Sequence, residues 1–367
     1  VRFANLLVNA LGKYRLNNAI PGMDERLLTW LVSFRMSANT IQSVINKGAS
    51  KNYNLTNSPG KSLLDHVVVS GYAESFCISL LKSGAYLTDY NGTLSFAMDR
   101  NYRAFISEVI SKQQSLQSVA VVRAMISKGN KWLDQAEQLV DSNPKMDLGS
   151  LTNENIQMLV QFDRIRFLDK VLSRSKNSYS YSKNSCNSDP LNFAIAYEKS
   201  AAIRKLVESG YDVNKPTCPS LKVAMGSSKS RKDFDYILSK TNFSNNSEAN
   251  ELLVNADSVA TLEKMIKAGA DINAVNKNGQ TVLDSVLRSK ESSANLEVPL
   301  KLISLGAKFG EEGLQSAVRS GNVGMVKALI AKGANVKTVS TYKYVKFGSI
   351  PLLFFANDVE VMQVLID

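Results

Sequence analysis

The segment Leu262-Glu263-Lys264-Met265-Ile266-Lys267-Ala268-Gly269-Ala270-Asp271-Ile272-Asn273 decides the fold. Its apolar residues recur at positions i, i+3 and i+4, which predicts a short helix with one buried stripe. Gly269 stands where that helix ends in a left-handed residue, a conformation that glycine adopts without a side-chain penalty. Asp271 then favours a turn, because its short side chain bonds nearby backbone groups. The segment therefore predicts a helix that ends at a glycine corner.

The same pattern recurs roughly every 30 residues along most of the chain, which is the mark of a repeat architecture. A generic helical bundle with chance glycine endings is the alternative, but so many related copies favour repeats. The clear copies are Val44–Ala49, Leu80–Ala85, Leu206–Asn214, Leu302–Ala307 and Leu329–Val336, and weaker copies turn near Gln113, Ser142, Ser175 and Thr241.

A second helix opens each repeat. In Asn276–Asp284 a turn leads into a capped helix start, and Pro59–Asp65, Ser188–Ala194 and Gly348–Leu353 follow the same plan. Proline near the first helical turn costs little, because that N–H has no partner within the helix. Each repeat is therefore predicted to be a helix-turn-helix unit.

This combination resembles the ankyrin repeat, whose marks are Gly-x-Thr-Pro-Leu-His before the first helix and Gly-Ala-Asp-Val-Asn after the second. The resemblance spans roughly Asn39 to Asp367. The second mark is well kept at Gly269–Asn273 and Gly210–Asn214. The first mark is eroded: its histidine is Asp65, Asn192 and Asp284 in the best copies, and its proline survives at Pro190 and Pro351.

The resemblance implies an all-α ankyrin-repeat solenoid of about ten helix-turn-helix units. Residues 1–38 are expected to form an atypical helical N-terminal cap, which includes the apolar residues Leu27, Leu28, Trp30, Leu31 and Phe34. Apolar residues from Phe3 to Tyr14 mark one face of a further helix. Residues 39–367 are expected to form the array, which is weakest between 115 and 177. There neither mark survives and the helices are predicted from periodicity alone, at Leu159, Phe162, Ile165, Phe167, Leu168, Val171 and Leu172. The chain stops at Asp367, where another glycine turn is due, so either the C-terminal cap is abrupt or the sequence continues.

The residues do not favour catalysis. His66 is the single histidine, so any Ser-His or Cys-His site would have to use it, and Cys77 lies in an apolar run. Gly60-Lys61-Ser62 imitates the end of a phosphate-binding loop, but Leu55 occupies the place of its first glycine. No zinc or calcium spacing is present. We therefore expect no enzyme, no metal and no cofactor.

The chain carries 44 Lys and Arg against 33 Asp and Glu, a net charge of +11. This surplus favours acidic partners, most of all an acidic protein surface, and leaves nucleic acid open. Cys77, Cys186 and Cys218 are odd in number and far apart, which favours a reducing compartment over a disulfide framework. The expected location is a cytoplasm, that of the producing cell or of a host. No apolar run reaches the length of a membrane span.

Two basic, tyrosine-containing segments at predicted turn tips are the candidate binding sites, since such a composition is common at interfaces. The second, Lys337–Phe347, also alternates as a hairpin finger would. Soluble loops without a partner are the alternative for both, and the basic segment Gly226–Lys232, which lacks aromatics, is expected to be such a loop. The candidate residues are Lys176, Tyr179, Tyr181, Lys183, Lys337, Tyr342, Lys343, Tyr344 and Lys346.

The leading hypothesis is a non-catalytic protein-binding adaptor or inhibitor. Its eroded repeats and richness in Ser, Asn and Lys suit a bacterial, phage or viral gene and a role between host and pathogen. Nucleic-acid binding through a basic concave surface and a structural role in a larger assembly are the alternatives. The partner's identity and the oligomeric state stay open.

Overall fold

The computed structural model divides the chain into two compact units, described separately below. Unit 1 comprises residues 1–158 and 174–176, and unit 2 comprises residues 159–173 and 177–367. The predicted helix from Phe3 to Tyr14 and the corner at Gly48 lie outside the described residues. The structure describes residues 27–46, 49–51, 61–113, 118–175, 188–215, 218–226, 232–244, 246–289, 296–337, 339–341 and 349–367.

Unit 1 consists of short helices in pairs, each a first helix followed by a second helix. The first helices of its first three pairs pack side by side, as do the second helices of its second and third pairs. The unit boundary falls within α9. The helices are α1 (Leu27–Ser33), α2 (Ala38–Asn46), α3 (Leu63–Val69), α4 (Glu74–Lys82), α5 (Tyr90–Asp99), α6 (Arg103–Lys112), α7 (Val119–Ser127), α8 (Asn130–Ser142) and α9 (Asn153–Gln161).

Unit 2 continues the same alternation and adds one two-stranded ladder. In two pairs, a 3₁₀ helix forms all or part of the first helix: Leu252–Asn255 and Leu352–Phe355. The remaining elements are α10 (Ile165–Arg174), α11 (Pro190–Ala196), α12 (Ser200–Glu208), α13 (Ser220–Gly226), α14 (Phe234–Lys240), α15 (Ser247–Glu251), α16 (Val259–Lys267), α17 (Val282–Arg288), α18 (Glu297–Ser304), α19 (Glu311–Arg319), α20 (Val323–Ala331), β1 (Val339–Thr341), β2 (Ser349–Pro351) and α21 (Val359–Ile366).

These elements confirm the predicted all-α helix-turn-helix repeat. Eleven helix pairs lie in the described residues, close to the expected number. The stretch without family marks is helical too, from α7 to α10, and buries Leu159, Phe167, Leu168, Val171 and Leu172 as its periodicity predicts. The predicted cap boundary at residue 38 coincides with the start of α2, and the division into cap and array stays a prediction.

The glycine corners occupy equivalent positions after the second helices. Gly269 has φ +102°; its N–H bonds the carbonyl of Ile266 at 2.9 Å, and that of Ala270 bonds the carbonyl of Met265 at 3.0 Å. This is the Schellman arrangement, which satisfies the last carbonyls of a helix. Gly84, Gly210, Gly306 and Gly333 repeat it with φ between +82° and +95°.

A second set of corners, after the first helices, was not predicted. Most of them use residues other than glycine: Arg35, Asn101, Asp163 and Glu198 have φ between +54° and +62°. The hydrogen bonds are the same, for example Arg35 N to Val32 O and Met36 N to Leu31 O, both 2.9 Å. Asn and Asp tolerate this conformation better than Arg and Glu, which are held there by the surrounding pair.

The residues at the family's histidine position fix one helix pair against the next. The carboxylate of Asp65 accepts from the Ser62 and Thr88 backbone N–H groups and from the hydroxyls of Ser62, Thr88 and Thr93. Because Thr88 and Thr93 belong to the following pair, this carboxylate links two repeats. It also bonds the backbone of two turns, one in each repeat.

Asp284 and Asn192 make the corresponding links in unit 2. Asp284 accepts from Thr281 of its own pair and from the Gly310 N–H of the next, at 2.9 Å. Asn192 accepts from the Ser220 hydroxyl at 2.8 Å and donates to the Cys218 carbonyl at 3.4 Å. The chemistry of the link therefore differs from repeat to repeat.

The second helices of unit 2 are joined by a series of charged contacts. Ion pairs join Asp169 to Lys205 at 3.0 Å, Asp235 to Lys264 at 2.8 Å and Glu263 to Lys301 at 2.8 Å. Between the first two, the Arg204 guanidinium lies 4.7 Å from the centre of the Tyr236 ring. Each exposed pair contributes only about 0–1 kcal/mol. Charged side chains on neighbouring second helices of unit 2 therefore pair with one another.

The cysteines correct one expectation. Cys77 is a buried free thiol, but Cys218 is disulfide-bonded. Distance along the sequence is a poor guide in a repeat array, because residues one repeat apart come to lie side by side. The expectation that the cysteines form no disulfide is therefore wrong.

Candidate functional site

Of the candidate binding residues in the two basic, tyrosine-containing segments, only Lys337 lies within the described part of the chain. It is exposed beside the Gly333 corner, and its N–H bonds the Asn335 side chain at 3.0 Å. Lys176, Tyr179, Tyr181, Lys183, Tyr342, Lys343, Tyr344 and Lys346 lie outside the described residues. Their role in binding stays a prediction.

Strands β1 and β2 flank the second predicted finger. They pair antiparallel, with Val339 opposite Pro351, Ser340 opposite Ile350 and Thr341 opposite Ser349. The chain segment between them, residues 342–348, contains Tyr342, Lys343, Tyr344 and Lys346, whereas Lys337 precedes β1. The paired flanks agree with the predicted hairpin.

A groove of about 530 Å³ crosses the first helices of unit 2. Its floor and walls come from α13, α15 with the following 3₁₀ helix, and α17, together with the turn that precedes α17. Lys222 lies at one end and Arg288 at the other, with Glu248 and Glu251 between them on α15. Because consecutive helix pairs each supply one wall, the groove is a product of the repeat.

The turn before α17 is held rigidly. Asn276 accepts from the Gln280 N–H at 3.0 Å and donates from Nδ2 to Gln280 Oε1 at 3.1 Å. Gln280, which is buried, donates to Glu312 of the next pair at 2.6 Å, and Arg288 lies 4.0 Å from that same carboxylate. Two groove residues are thus positioned by the following repeat.

The groove presents carboxylate, amide and hydroxyl groups to which a ligand could form hydrogen bonds or ion pairs. Glu248 and Glu251 stand three residues apart on α15 and therefore project from neighbouring positions of one helix face. Both are exposed, and among the described residues neither forms an ion pair. Asn255, Gln280 and Ser285 add amide and hydroxyl groups to the lining. This arrangement suits a polypeptide, which presents both donors and acceptors along its backbone.

The side chains considered for catalysis are buried, cap a helix or lie on a helix surface. Burial raises the pKa of the Cys77 thiol to about 12, so it is not a thiolate at neutral pH. The Ser62 hydroxyl caps α3 and bonds the Asp65 carboxylate at 2.8 Å, so it faces a carboxylate where a phosphate loop would hold an anion. His66 lies half-buried on the surface of α3.

Lys215 is a buried cation in the loop after α12. It forms an ion pair with Asp189, whose other oxygen accepts from the Leu191 N–H at 2.9 Å and so caps α11. Burial lowers the pKa of Lys215 to about 8. The pair ties a helix start to the next loop, as the Asp65 and Asp284 links do.

No cluster of three or more His, Cys, Asp or Glu side chains in the described part of the chain has a metal-binding arrangement. In the same residues, no helix combines the length and apolar character needed to cross a membrane.

Comparisons with known proteins find similarity at the level of structure. No family model matches the sequence, and no curated protein matches it. The ankyrin repeat domain of Bcl-3, a member of the IkappaB protein family, matches 58% of this chain and 97% of its own length at 17% identity and TM-score 0.46. The human ASB11 ankyrin repeat domain matches 57% of this chain and 96% of its own length at 20% identity and TM-score 0.41. Because both TM-scores are low, the ankyrin-like fold rests on the helix pairs and corners described above.

Proposed function

We propose that this chain is a non-catalytic protein-binding module that holds a polypeptide in the groove of unit 2. The observation that supports it is the groove itself, in which successive first helices present Glu248, Glu251 and a row of amide and hydroxyl groups. Peptide backbone can bond such groups, and a basic side chain can pair with the carboxylates. An adaptor or inhibitor role in a cytoplasm extends this proposal.

A protein partner fits the groove better than nucleic acid does. Nucleic-acid affinity comes largely from cations that neutralise phosphates. In this groove Lys222 and Arg288 are offset by Glu248 and Glu251, and Glu312 lies against Arg288. The net charge of +11 therefore does not translate into a basic groove.

The two basic, tyrosine-containing segments are candidates for a further binding surface. The first contains Lys176, Tyr179, Tyr181 and Lys183, and the second contains Lys337, Tyr342, Lys343, Tyr344 and Lys346. Tyrosine supplies contact area with a hydrogen-bonding tip, and lysine attracts acidic groups. We propose that both segments contact acidic patches of the same protein partner.

The test compares the proteins captured from extracts of the producing cell, or of its host, by variants of the whole chain. Ser285→Trp fills the groove from α17, and we expect it to weaken capture roughly tenfold, equal to about 1.4 kcal/mol. Ser239→Trp places the same bulk on the exposed face of α14 and should leave capture unchanged. Mass spectrometry and quantitative binding of the captured protein give the readout.

A combined Tyr342→Ala and Lys343→Glu variant tests the second finger in the same assay. Weaker binding with an unchanged helical signal supports the finger assignment, and unchanged affinity removes it. Titration with nucleic acid at several salt concentrations tests the alternative function, nucleic-acid binding.

Equal capture of the partner by the Ser285→Trp and Ser239→Trp variants would count against the groove as the binding site.

A further inference from the structure

A second surface, in unit 1, is revealed by the unpredicted corners. Arg35, Gly71 and Asn101 are equivalent, because each has positive φ and closes a first helix with the same pair of hydrogen bonds. Counting back five residues from each corner makes Trp30, His66 and Phe96 equivalent. Counting back one makes Phe34, Ser70 and Arg100 equivalent.

These equivalent positions lie on neighbouring helices. Helix α3 packs against α1 on one side and against α5 on the other. Residues at one repeat position therefore form a row across the three helices. We call Trp30, Phe34, His66, Phe96 and Arg100 the aromatic stripe.

The two ends of the stripe carry aromatic groups on the surface. Phe34 is 62% exposed and its ring centre lies 4.6 Å from that of Trp30, which is half-buried. At the other end, the Arg100 guanidinium lies 4.9 Å from the centre of the half-buried Phe96 ring. Exposed aromatic and arginine side chains are the types that dominate binding energy at protein interfaces.

Arg100 is held in place by the preceding repeat. Its guanidinium lies directly against Gly71, so close that a Cβ atom at Gly71 would fall 2.4 Å from Nη1. Contact with the Phe96 ring on α5 and with the Gly71 corner restricts the arginine before any partner arrives. Such preorganisation lowers the entropy that binding must offset.

Arg100 gives the stripe a positive charge, and within the described residues the carboxylates of Asp65 and Asp99, next to His66 and Arg100 in sequence, are occupied. Among the described residues Arg35 and Arg100 form no ion pair. Asp99, next to Arg100, pairs with Lys128 at 2.6 Å, and Asp65 is buried within its own hydrogen bonds. A carboxylate from outside can therefore pair with Arg100, the arginine of the stripe, without displacing an internal partner.

We propose that the aromatic stripe binds an acidic, extended peptide segment that also carries a large apolar side chain. The apolar side chain packs on Trp30 and Phe34, and the carboxylates pair with Arg100. Neighbouring helices lie about 10 Å apart, so the two ends are separated by roughly 20 Å. An extended chain covers about 3.3 Å per residue, which places the two features about six residues apart. The proposal does not rest on the groove of unit 2.

Single-stranded nucleic acid also combines stacking groups with negative charge. Its binding sites follow the backbone with a continuous basic groove. Here Ser70 and His66 lie between the two ends, and Lys128, beyond Arg100, is paired with Asp99. The stripe therefore favours a peptide with a local acidic cluster.

The test is fluorescence anisotropy of a labelled peptide with the whole chain. The probe carries Leu-Phe, then a Ser/Gly spacer of about five residues, then a pair of glutamates. We expect saturable binding, weakened about tenfold by Phe34→Ser and by Arg100→Gln. Arg100→Lys, which keeps the charge and loses the planar guanidinium, should give a smaller loss.

Matched controls separate the stripe from general effects. Val275→Ser and Arg166→Gln remove an exposed apolar side chain and an exposed arginine elsewhere, and should change nothing. Ser285→Trp, which fills the groove of unit 2, should also leave peptide binding unchanged. The peptide result can therefore be interpreted even if the groove proposal is wrong. Circular dichroism checks that Phe34→Ser and Arg100→Gln remain folded.

Three outcomes overturn the proposal. The first is no anisotropy change up to about 1 mM, a concentration that corresponds to about −4.1 kcal/mol. The second is equal binding of a peptide with lysines in place of the glutamates. The third is salt-sensitive binding of a single-stranded oligonucleotide that is tighter than the peptide and needs the same residues.

Discussion

The carboxylate of Asp65 shows how one side chain can fix the position of two repeats. Burial by itself raises the pKa of Asp65, but hydrogen bonds from Thr88, Ser62 and Thr93 outweigh it, and the pKa lies below its usual value. The side chain is therefore charged, buried and surrounded by donors. Such a group stabilises the fold only while it stays ionised.

We predict that Asp65→Asn lowers the free energy of unfolding by about 2–3 kcal/mol at neutral pH, since an amide NH₂ group would face donors. Because the folded-state pKa is lowered, this contribution is present above the unfolded-state pKa and is lost as pH falls through the folded-state pKa. The difference between wild type and variant should therefore shrink in acid. Urea unfolding at a series of pH values measures it.

Asp99→Asn is the matched control, because Asp99 is exposed and forms one surface ion pair. It should cost less than about 1 kcal/mol. A wild-type advantage over Asp65→Asn that stays constant into acid would show that the charge of Asp65 is not the stabilising feature.

At the residue scale, the sequence identifies only one of the two hydrogen-bonding partners that join neighbouring repeats. Asp65, Asn192 and Asp284 could be recognised because they replace a residue of a known mark. Their partners in the next repeat, such as Thr88 and Gly310, could not. They follow no fixed spacing, and only the packed helices show which turn lies opposite.

The corners that follow second helices can be recognised in the sequence by their glycine, whereas most corners that follow first helices cannot. Gly84, Gly210, Gly269, Gly306 and Gly333 mark the ends of second helices, because glycine is the ordinary left-handed residue. The first-helix corners at Arg35, Asn101, Asp163 and Glu198 carry no such sign. Without them, Trp30, His66 and Phe96 cannot be aligned, since they are unevenly spaced along the chain.

Gly71 and Gly269 offer a matched test of corner function. Both have positive φ, so Gly71→Ala and Gly269→Ala should each cost about 1–2 kcal/mol in thermal or urea unfolding. At Gly269 a Cβ meets open space, whereas at Gly71 it meets the Arg100 guanidinium. Only Gly71→Ala should therefore also weaken the acidic peptide, by displacing Arg100. Equal peptide affinity of the two variants would contradict the contact.

Within each of the two units, the helix pairs contact mainly the pairs next to them in sequence. In such arrays stability is close to a sum of repeat and interface terms, and damage stays local. The sequence predicts this property well, since the repeat is visible in it. It does not predict the disulfide at Cys218 or the acidic residues of the groove. Net charge and the number of cysteines do not show where the individual side chains lie in the folded protein.

Leu262→Ala tests this locality within unit 2. Leu262 is fully buried on α16, so its truncation should cost about 3 kcal/mol. We expect faster amide hydrogen exchange in α16 and in its neighbour α18, with α11 and α12 unchanged. Hydrogen-exchange mass spectrometry on the whole chain resolves these helices. A uniform loss of protection throughout unit 2 would show that it unfolds as one block.

The links at Asp65 and Asn192 give the repeats a direction and an order. Asp65 only accepts, and faces hydroxyls and N–H groups, whereas Asn192 must also give a hydrogen to a carbonyl. If the first helices were exchanged, a carboxylate would face a carbonyl oxygen and an amide would face a set of donors. Exchanging or duplicating a single repeat therefore breaks the hydrogen bonds that join it to its neighbours. The array can be lengthened or recombined only if both hydrogen-bonding partners of each contact between repeats are moved together.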